Sequence, residues 1–168
     1  VGLFEYYYRA HGADVGFDPE FPAQFGDIFR LHASNATQLL ALESCDLSIC
    51  PTAWQKSRFP DAYQSRLHVQ HEGVDTHALA PDPAARVTLP DGTTLQRGDE
   101  VATYVSRSLE PYRGFHVLLR ALPRLLAERP ACHIVIVGGE GVGYGPKPPQ
   151  GSSWKDHYLR ELGQPVGQ

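Results

Sequence analysis

A strand–helix–strand pattern in the second half of the chain constrains the fold more than any other feature. Glu100 to Val105 is typical of a strand, Phe115 to Glu128 of a helix with leucines on one side, and His133 to Val137 of a β-branched strand. Three such elements in so short a stretch form a βαβ unit, in which the two strands run parallel. The pattern therefore predicts an α/β fold.

The other elements are predicted from apolar runs and turn residues. Residues 1–8 predict a buried strand, residues 9–22 a long loop, and Phe25 to Ser44 a helix that Ser34 or Asn35 could cap. The remaining predictions are strands over Leu47–Cys50 and Leu67–His71, a helix after Thr52, a hairpin with Asp91 and Gly92 at its turn, and a helix from Trp154 to Leu162 capped by Ser153.

A proline- and alanine-rich segment divides the chain. LAPDPAA, residues 79–85, is the best candidate for a linker, and it separates residues 1–80 from residues 81–168. The chain has 168 residues, a length that fits one domain, two small ones or pieces of two. It has no methionine, not even at position 1, so we expect a fragment of a longer protein.

Charge and cysteine usage exclude several classes of protein. Fifteen basic residues against 19 acidic ones give a formal net charge of −4, which argues against a nucleic-acid binder. Three cysteines without a CxxC spacing indicate buried free thiols in a reducing cytoplasm, and neither a zinc site nor a disulfide framework. His68 and His71 would lie on opposite faces of a strand, so no metal site is expected there.

Two arginines near the end of the first βαβ strand are candidates for anion binding. Arg107 and Arg113 lie on either side of the turn that leads into the helix starting at Phe115. In open parallel sheets, ligands bind beyond the carboxyl ends of the strands, and guanidinium groups pair with two phosphate oxygens at once. The alternative is that both arginines are solvated at the surface.

A glycine-rich segment, residues 138–145, follows the second βαβ strand. Its glycines, including Gly138, Gly139 and Gly141, would let backbone amides approach a phosphate or a sugar. The segment is followed by prolines and contains no Gly-Lys-Ser or Gly-Lys-Thr, so it is neither a dinucleotide fingerprint nor a P-loop. A flexible loop with a purely structural role remains the alternative.

Two further patterns have a simple and a functional interpretation. His116, Arg120 and Arg124 recur every four residues, which predicts a solvated helix face or one that docks on anionic lipid. Asn35-Ala36-Thr37 fits an N-glycosylation sequence, which would matter only in a secreted protein.

Several segments in order resemble the retaining glycosyltransferases of family four, which have the GT-B architecture of two facing Rossmann-like domains. EVATYVSRSLEPYRGFHVLLRALPRLLAERPACHIVIVGGEGVGYG is similar to the first half of their donor-binding domain. ALESCDLSICPTAWQKSRFP and LHVQHEGVDTHALAP resemble the end of the acceptor-side domain and the linker, with Glu72 where the family has asparagine. FEYYYRAHGADVGFDPEFP resembles a subgroup of bacterial members. The resemblance implies that residues 1–80 are acceptor-side and residues 81–168 belong to the nucleotide-sugar-binding domain.

The resemblance assigns roles to individual residues. The family motif is Gly-Arg-Leu, a few residues, then Lys-Gly; Arg107 matches its arginine and Arg113 its lysine, with Ser106 in place of the glycine and one extra residue between. These two are implied to bind the diphosphate of the donor. Gly138, Gly139 and Gly141 match the loop that faces the donor. Glu5 and Arg9, near the carboxyl end of the first strand, are acceptor-side candidates; the alternative is a buried aromatic strand in which the two residues form an ion pair.

The implied activity is transfer of a sugar from a nucleotide-sugar to a glycan or lipid-linked acceptor, with retention and without a metal or another cofactor. The family implies a cytoplasmic location, including the inner face of the membrane, with a peripheral membrane contact. The family's paired glutamates would lie beyond Gln168, so we expect the fragment to be inactive alone and its catalytic residues to lie elsewhere. The alternatives are a non-catalytic, truncated nucleotide-binding remnant and an unrelated flavodoxin-like protein.

Overall fold

The computed structural model describes residues 2–3, 8–13, 15–143, 145–149 and 153–163. The chain separates into two compact units, Val1–Ala80 and Pro81–Gln168, and both combine helices with small sheets. The boundary lies within the segment 79–85 that the sequence singles out as a linker. In the described part of the chain, no helix is long and apolar enough to cross a membrane.

The N-terminal unit is built on a three-stranded parallel sheet in the order β1-β2-β3. Its strands are β1 (Gly2–Leu3), β2 (Ser48–Cys50) and β3 (Leu67–Val69), and its helices are α1 (Phe25–Ser44), α2 (Ala53–Arg58) and α3 (Asp61–Gln64). The strand predicted over residues 1–8 is thus seen at Gly2–Leu3, while Tyr8 is outside it and residues 4–7 lie outside the described residues. The strand predicted to reach His71 ends at Val69.

The predicted bounds of α1 are confirmed, but its predicted cap is wrong. Gln24 precedes the first turn, and its backbone amide donates to the carboxylate of Asp27 at 2.9 Å. Asn35 is buried in the middle of the helix instead. A residue at that depth cannot cap a helix end, because the backbone donors there are already paired within the helix.

The core of the N-terminal unit joins its sheet to its helices. Leu42, Cys50, Phe59 and Leu67 are each at most 2% exposed and pack together. All three cysteines are free, but only Cys50 is buried, whereas Cys45 and Cys132 are half-buried. The prediction of buried thiols is therefore correct only for Cys50, whose pKa is raised by burial.

The C-terminal unit begins with the predicted hairpin. β4 (Arg86–Thr88) pairs antiparallel with β5 (Thr94–Gln96). Gly92 has a φ of +88° at the turn, a conformation that glycine adopts without steric cost, and its amide donates to the carbonyl of Leu89. The Asp-Gly turn signal was therefore a reliable predictor of this element.

The predicted βαβ unit is confirmed. β6 (Val101–Ser108) and β7 (His133–Gly139) are parallel neighbours, and α4 (Phe115–Glu128) connects them after a short 3₁₀ turn, Pro111–Arg113. A final helix, α5 (Trp154–Glu161), is capped by Ser153, whose hydroxyl accepts the amide of Asp156.

The helices α4 and α5 pack mainly through aromatic side chains. Phe115, Leu119, Trp154 and Tyr158 are each at most 5% exposed, and the rings of Trp154 and Tyr158 stack with centroids 5.5 Å apart. The leucines predicted to face the core are only half-buried, and Leu126 is 40% exposed. The buried stripe of α4 is thus rotated towards Phe115 and Leu119.

Candidate functional site

The carboxyl end of β6 is irregular where Arg107 lies. β6 advances three residues from Val105 to Ser108 while β7 advances two, from Val137 to Gly139. One extra residue in one strand is a β-bulge, which re-aims the side chains around it. The predicted strand ends at Val105, whereas in the structure Ser106, Arg107 and Ser108 also belong to it.

Arg107 and Arg113 border one open cavity. The cavity has a volume of about 360 Å³ and is lined by Tyr104, Val105, Ser106 and both arginines. Both arginine side chains are exposed. Two guanidinium groups around one cavity can present several N–H donors to the same anion.

The backbone next to Arg113 is held in place by three hydrogen bonds. The amide of Arg113 donates to the carbonyl of Glu110 at 3.0 Å, and the hydroxyl of Tyr104 donates to the carbonyl of Arg113 at 2.9 Å. The amide of Gly114 donates to the carbonyl of Pro111 at 2.8 Å, and its φ of +76° turns the chain into α4. Burial raises the pKa of Tyr104 further above its ordinary value, which already keeps the hydroxyl protonated at neutral pH.

The first two glycines of the glycine-rich segment are required by close packing. A Cβ at Gly138 would lie 2.7 Å from the carbonyl oxygen of Ser106 and 2.7 Å from a methyl group of Leu109. A Cβ at Gly139 would lie 3.2 Å from the carbonyl oxygen of Arg107, while the Gly139 carbonyl accepts the amide of Leu109 at 2.9 Å. A Cβ at Gly141, by contrast, would meet open space.

Glu110 is the residue that sequence reasoning missed. Its side chain is completely buried, and Oε2 accepts the amide of Gly143 at 3.0 Å and the amide of Gly145 at 3.2 Å. Nothing in the spacing indicates this contact, because Glu110 and the glycines are more than 30 residues apart. The one available signal was an acidic residue directly before Pro111 in a turn between two arginines.

The glycine-rich segment is also fixed to α5. The indole of Trp154 donates to the carbonyl of Pro146 at 3.0 Å, and Lys155 pairs with Glu140 at 2.5 Å. Together with the contacts of Glu110, these bonds anchor the segment at several points. These contacts give the described residues of the segment defined partners, while the choice between a ligand-binding and a purely structural role stays a prediction.

The helix face predicted from His116, Arg120 and Arg124 is not a common solvated surface. His116 is 5% exposed. Arg120 pairs with Glu161 of α5, whereas Arg124 pairs with Glu128 one turn further along α4. His116 is buried by aromatic packing, so His116, Arg120 and Arg124 do not form one basic surface.

The acceptor-side candidates are only partly described. Glu5 lies outside the described residues. Arg9 is half-buried, and Asn35 holds its backbone: the Arg9 amide donates to Oδ1 at 3.0 Å, and Nδ2 donates to the Arg9 carbonyl at 2.7 Å. Asn35 is 2% exposed, so the amide of the glycosylation sequence is occupied inside the unit.

The histidines considered for a metal site do not face one another. His68 pairs with Ile49 in the sheet and its side chain is exposed. His71 lies beyond the strand, where its Nδ1 accepts the amide of Gly73 at 3.1 Å.

Comparison with known proteins supports the family resemblance. Residues 1–79 match the model of the Glycosyl transferase family 4 group. The match covers 79 residues, just under half of the chain. The resemblance inferred from the sequence motifs is thereby confirmed, and it is a resemblance to enzymes of the transferase class.

Three curated relatives are mannosyltransferases of mycobacteria. A GDP-mannose-dependent alpha-(1-6)-phosphatidylinositol monomannoside mannosyltransferase of Mycolicibacterium smegmatis is 36% identical over 88 residues, which cover 51% of this chain and 22% of that protein. The protein of the same name from Mycobacterium tuberculosis is 30% identical over 99 residues, covering 58% and 25%. A phosphatidyl-myo-inositol mannosyltransferase of M. smegmatis is 29% identical over 139 residues, covering 67% and 36%. The chain thus spans about a quarter of the length of the first two; no solved structure matches it significantly.

Proposed function

We propose that this chain is part of a GT-B glycosyltransferase that transfers a sugar from a nucleotide-sugar with retention. Residues 1–80 would belong to the acceptor-side domain and residues 81–168 to the nucleotide-sugar-binding domain. The family match over residues 1–79 and the mannosyltransferase relatives support this assignment.

The observation that carries the proposal is the cavity shared by Arg107 and Arg113 at the carboxyl end of β6. Parallel α/β sheets bind ligands at this end of their strands, and the N-terminus of α4 adds a partial positive charge. Fixed positive charge stabilises the negative charge that develops on a departing nucleoside diphosphate. Arg107 and Arg113 would therefore hold the diphosphate of the donor, with the amides of Gly138, Gly139 and Gly141 nearby.

The names of the relatives suggest a donor and an acceptor for the parent protein. Their names specify GDP-mannose as donor and a phosphatidylinositol-type lipid as acceptor, so we propose GDP-mannose and a lipid-linked acceptor for the parent protein. A lipid acceptor places the enzyme at a membrane, through a peripheral contact at its cytoplasmic face. Because two guanidinium groups already supply positive charge, we expect the diphosphate to bind without a divalent metal ion.

Calorimetric titration with GDP and with UDP in the presence of EDTA tests this proposal. We expect GDP to bind, and Arg107→Ala to weaken binding by about tenfold or more, as loss of a charge-assisted phosphate contact should. Arg124→Ala is the matched control, because Arg124 is exposed and pairs only locally with Glu128. A chain that is folded by far-UV circular dichroism but binds neither nucleotide would contradict the proposal and favour a non-catalytic remnant.

A further inference from the structure

We propose that Glu110 is a positioning residue that locks the glycine-rich segment to the turn carrying Arg113. The inference rests on the proposed function, because it assigns the locked segment to the diphosphate site. Glu110 is not among the residues that line the cavity shared by Arg107 and Arg113. It would act on the nucleotide only through the backbone that it holds.

The carboxylate of Glu110 is buried inside the C-terminal unit. Its side chain is 0% exposed, and burial of a carboxylate is costly unless hydrogen bonds replace water. The amides of Gly143 and Gly145 both donate to Oε2, at 3.0 Å and 3.2 Å. Bonds from amides to a carboxylate are stronger than bonds between neutral groups.

The identity of the two glycines follows from the same contact. A Cβ at Gly143 would lie 2.9 Å from Oε1 of Glu110, and a Cβ at Gly145 would lie 3.3 Å from Oε2. A side chain at Gly143 would therefore require the carboxylate of Glu110 to shift, and one at Gly145 would press on it more weakly. Glycine at these positions thus favours the close approach of the segment to Glu110, independently of any ligand.

The backbone of Glu110 holds the other side of the site. Its carbonyl oxygen accepts the amide of Arg113 at 3.0 Å. The preceding residue, Leu109, donates its amide to the carbonyl of Gly139 at 2.9 Å. Leu109 and Glu110 thus connect the start of the segment, its later glycines and the Arg113 turn.

A purely structural role of Glu110 and a positioning role predict different results when Glu110 is replaced. If Glu110 only stabilised the fold, its replacement would lower the free energy of unfolding and leave the nucleotide affinity of the folded chain unchanged. If Glu110 positions the segment, its replacement will let the amides of Gly143 and Gly145 open locally. The nucleotide affinity of the folded chain will then fall, although both arginines remain.

The experiment combines amide hydrogen exchange by NMR with GDP calorimetry on the whole chain. We compare Glu110→Ala, which removes the acceptor, with Glu110→Gln, which keeps an acceptor oxygen and the side-chain volume. Glu128→Gln is the control, because Glu128 is exposed and pairs only with Arg124. The amide of Val135 in β7 reports global unfolding, because the His133 amide donates to the carbonyl of Glu100 and alternation along the strand turns Val135 to the same side, towards β6.

For Glu110→Ala we expect exchange at Gly143 and Gly145 to accelerate about five- to tenfold relative to Val135, with a similar loss of GDP affinity. Glu110→Gln should show smaller changes in both the exchange rates and the GDP affinity. If Glu110→Ala does not fold, Glu110→Gln is compared with wild type in the same two measurements. Unchanged exchange, or faster exchange with unchanged GDP affinity, would overturn the proposal. If the wild-type chain binds no GDP, the proposed function fails, while the exchange data still show separately whether Glu110 tethers the segment.

Discussion

Arg120 of α4 and Glu161 of α5 are joined by two parallel hydrogen bonds. Nε of Arg120 lies 2.6 Å from Oε1 of Glu161, and a terminal guanidinium nitrogen lies 3.0 Å from Oε2. The guanidinium carbon is also 5.3 Å from the centre of the Tyr158 ring. This bidentate pair adds to the aromatic packing that holds α5 beside the helix of the βαβ unit.

Glu161→Gln should therefore destabilise the C-terminal unit. The Arg120 hydrogen bond lowers the pKa of Glu161, so the pair stabilises the fold fully above the ordinary carboxyl pKa of 4.5 and loses this contribution as pH falls below it. Both side chains are 39% exposed, so we expect only about 0.5–1 kcal/mol, reduced by salt. Urea unfolding at pH 7 and pH 3 measures it; an equal effect of Glu161→Gln at both pH values would contradict the assignment.

Gly138→Ala should destabilise the end of the βαβ unit by about 1–3 kcal/mol, the usual cost of overpacking. The new methyl group would lie 2.7 Å from the backbone oxygen of Ser106, which cannot move without disturbing the bulge at Arg107. Gly141→Ala is the control for stability, because its Cβ would meet open space. Thermal unfolding followed by circular dichroism compares them, and equal melting temperatures would show that the close approach is absent.

Asn35→Asp should lower the free energy of unfolding of the N-terminal unit by about 1–3 kcal/mol. The substitution keeps the side-chain shape but replaces the donor to the Arg9 carbonyl with an oxygen, which leaves a half-buried acceptor without that bond. Thr37→Ala, on the same helix, removes only an exposed local bond to Ser34 and should have little effect. Urea unfolding measures both, and a stable Asn35→Asp variant would contradict this role for Asn35.

Arg113→Lys should retain much of the GDP affinity that Arg113→Ala loses. A lysine preserves the positive charge and matches the residue that the family motif has here, but it gives up bidentate pairing with phosphate. We expect a loss of about two- to fivefold for Arg113→Lys and about tenfold or more for Arg113→Ala. Calorimetry distinguishes them; an equal loss in both variants would mean that geometry, and not charge, governs this position.

The elements that the sequence predicted well are those specified by local chemistry. The Asp91-Gly92 turn, the bounds of α1 and the strand–helix–strand pattern all depend on neighbouring residues, and all are confirmed. The cap at Asn35 was wrong because the partner of Asn35 is the distant backbone of Arg9. Local propensity contains no information about a contact that only the folded chain creates.

The same distinction applies to the candidate site. Arg107 and Arg113 could be identified because they flank one turn, and the structure brings both to one cavity. The role of Glu110 could not be predicted, since its partners arrive from the loop after the next strand. The bulge in β6 near Arg107 could not be predicted from the sequence either, because it depends on the register between β6 and β7.

The central claim is that Arg107 and Arg113 bind one diphosphate. NMR titration of the chain with inorganic pyrophosphate, following the side-chain Nε resonances of both arginines, tests it most directly. We predict that the two resonances shift along a single binding curve and that Arg107→Ala weakens the response of Arg113. Two curves with separate affinities, or no shift at either arginine in a folded chain, would contradict the account.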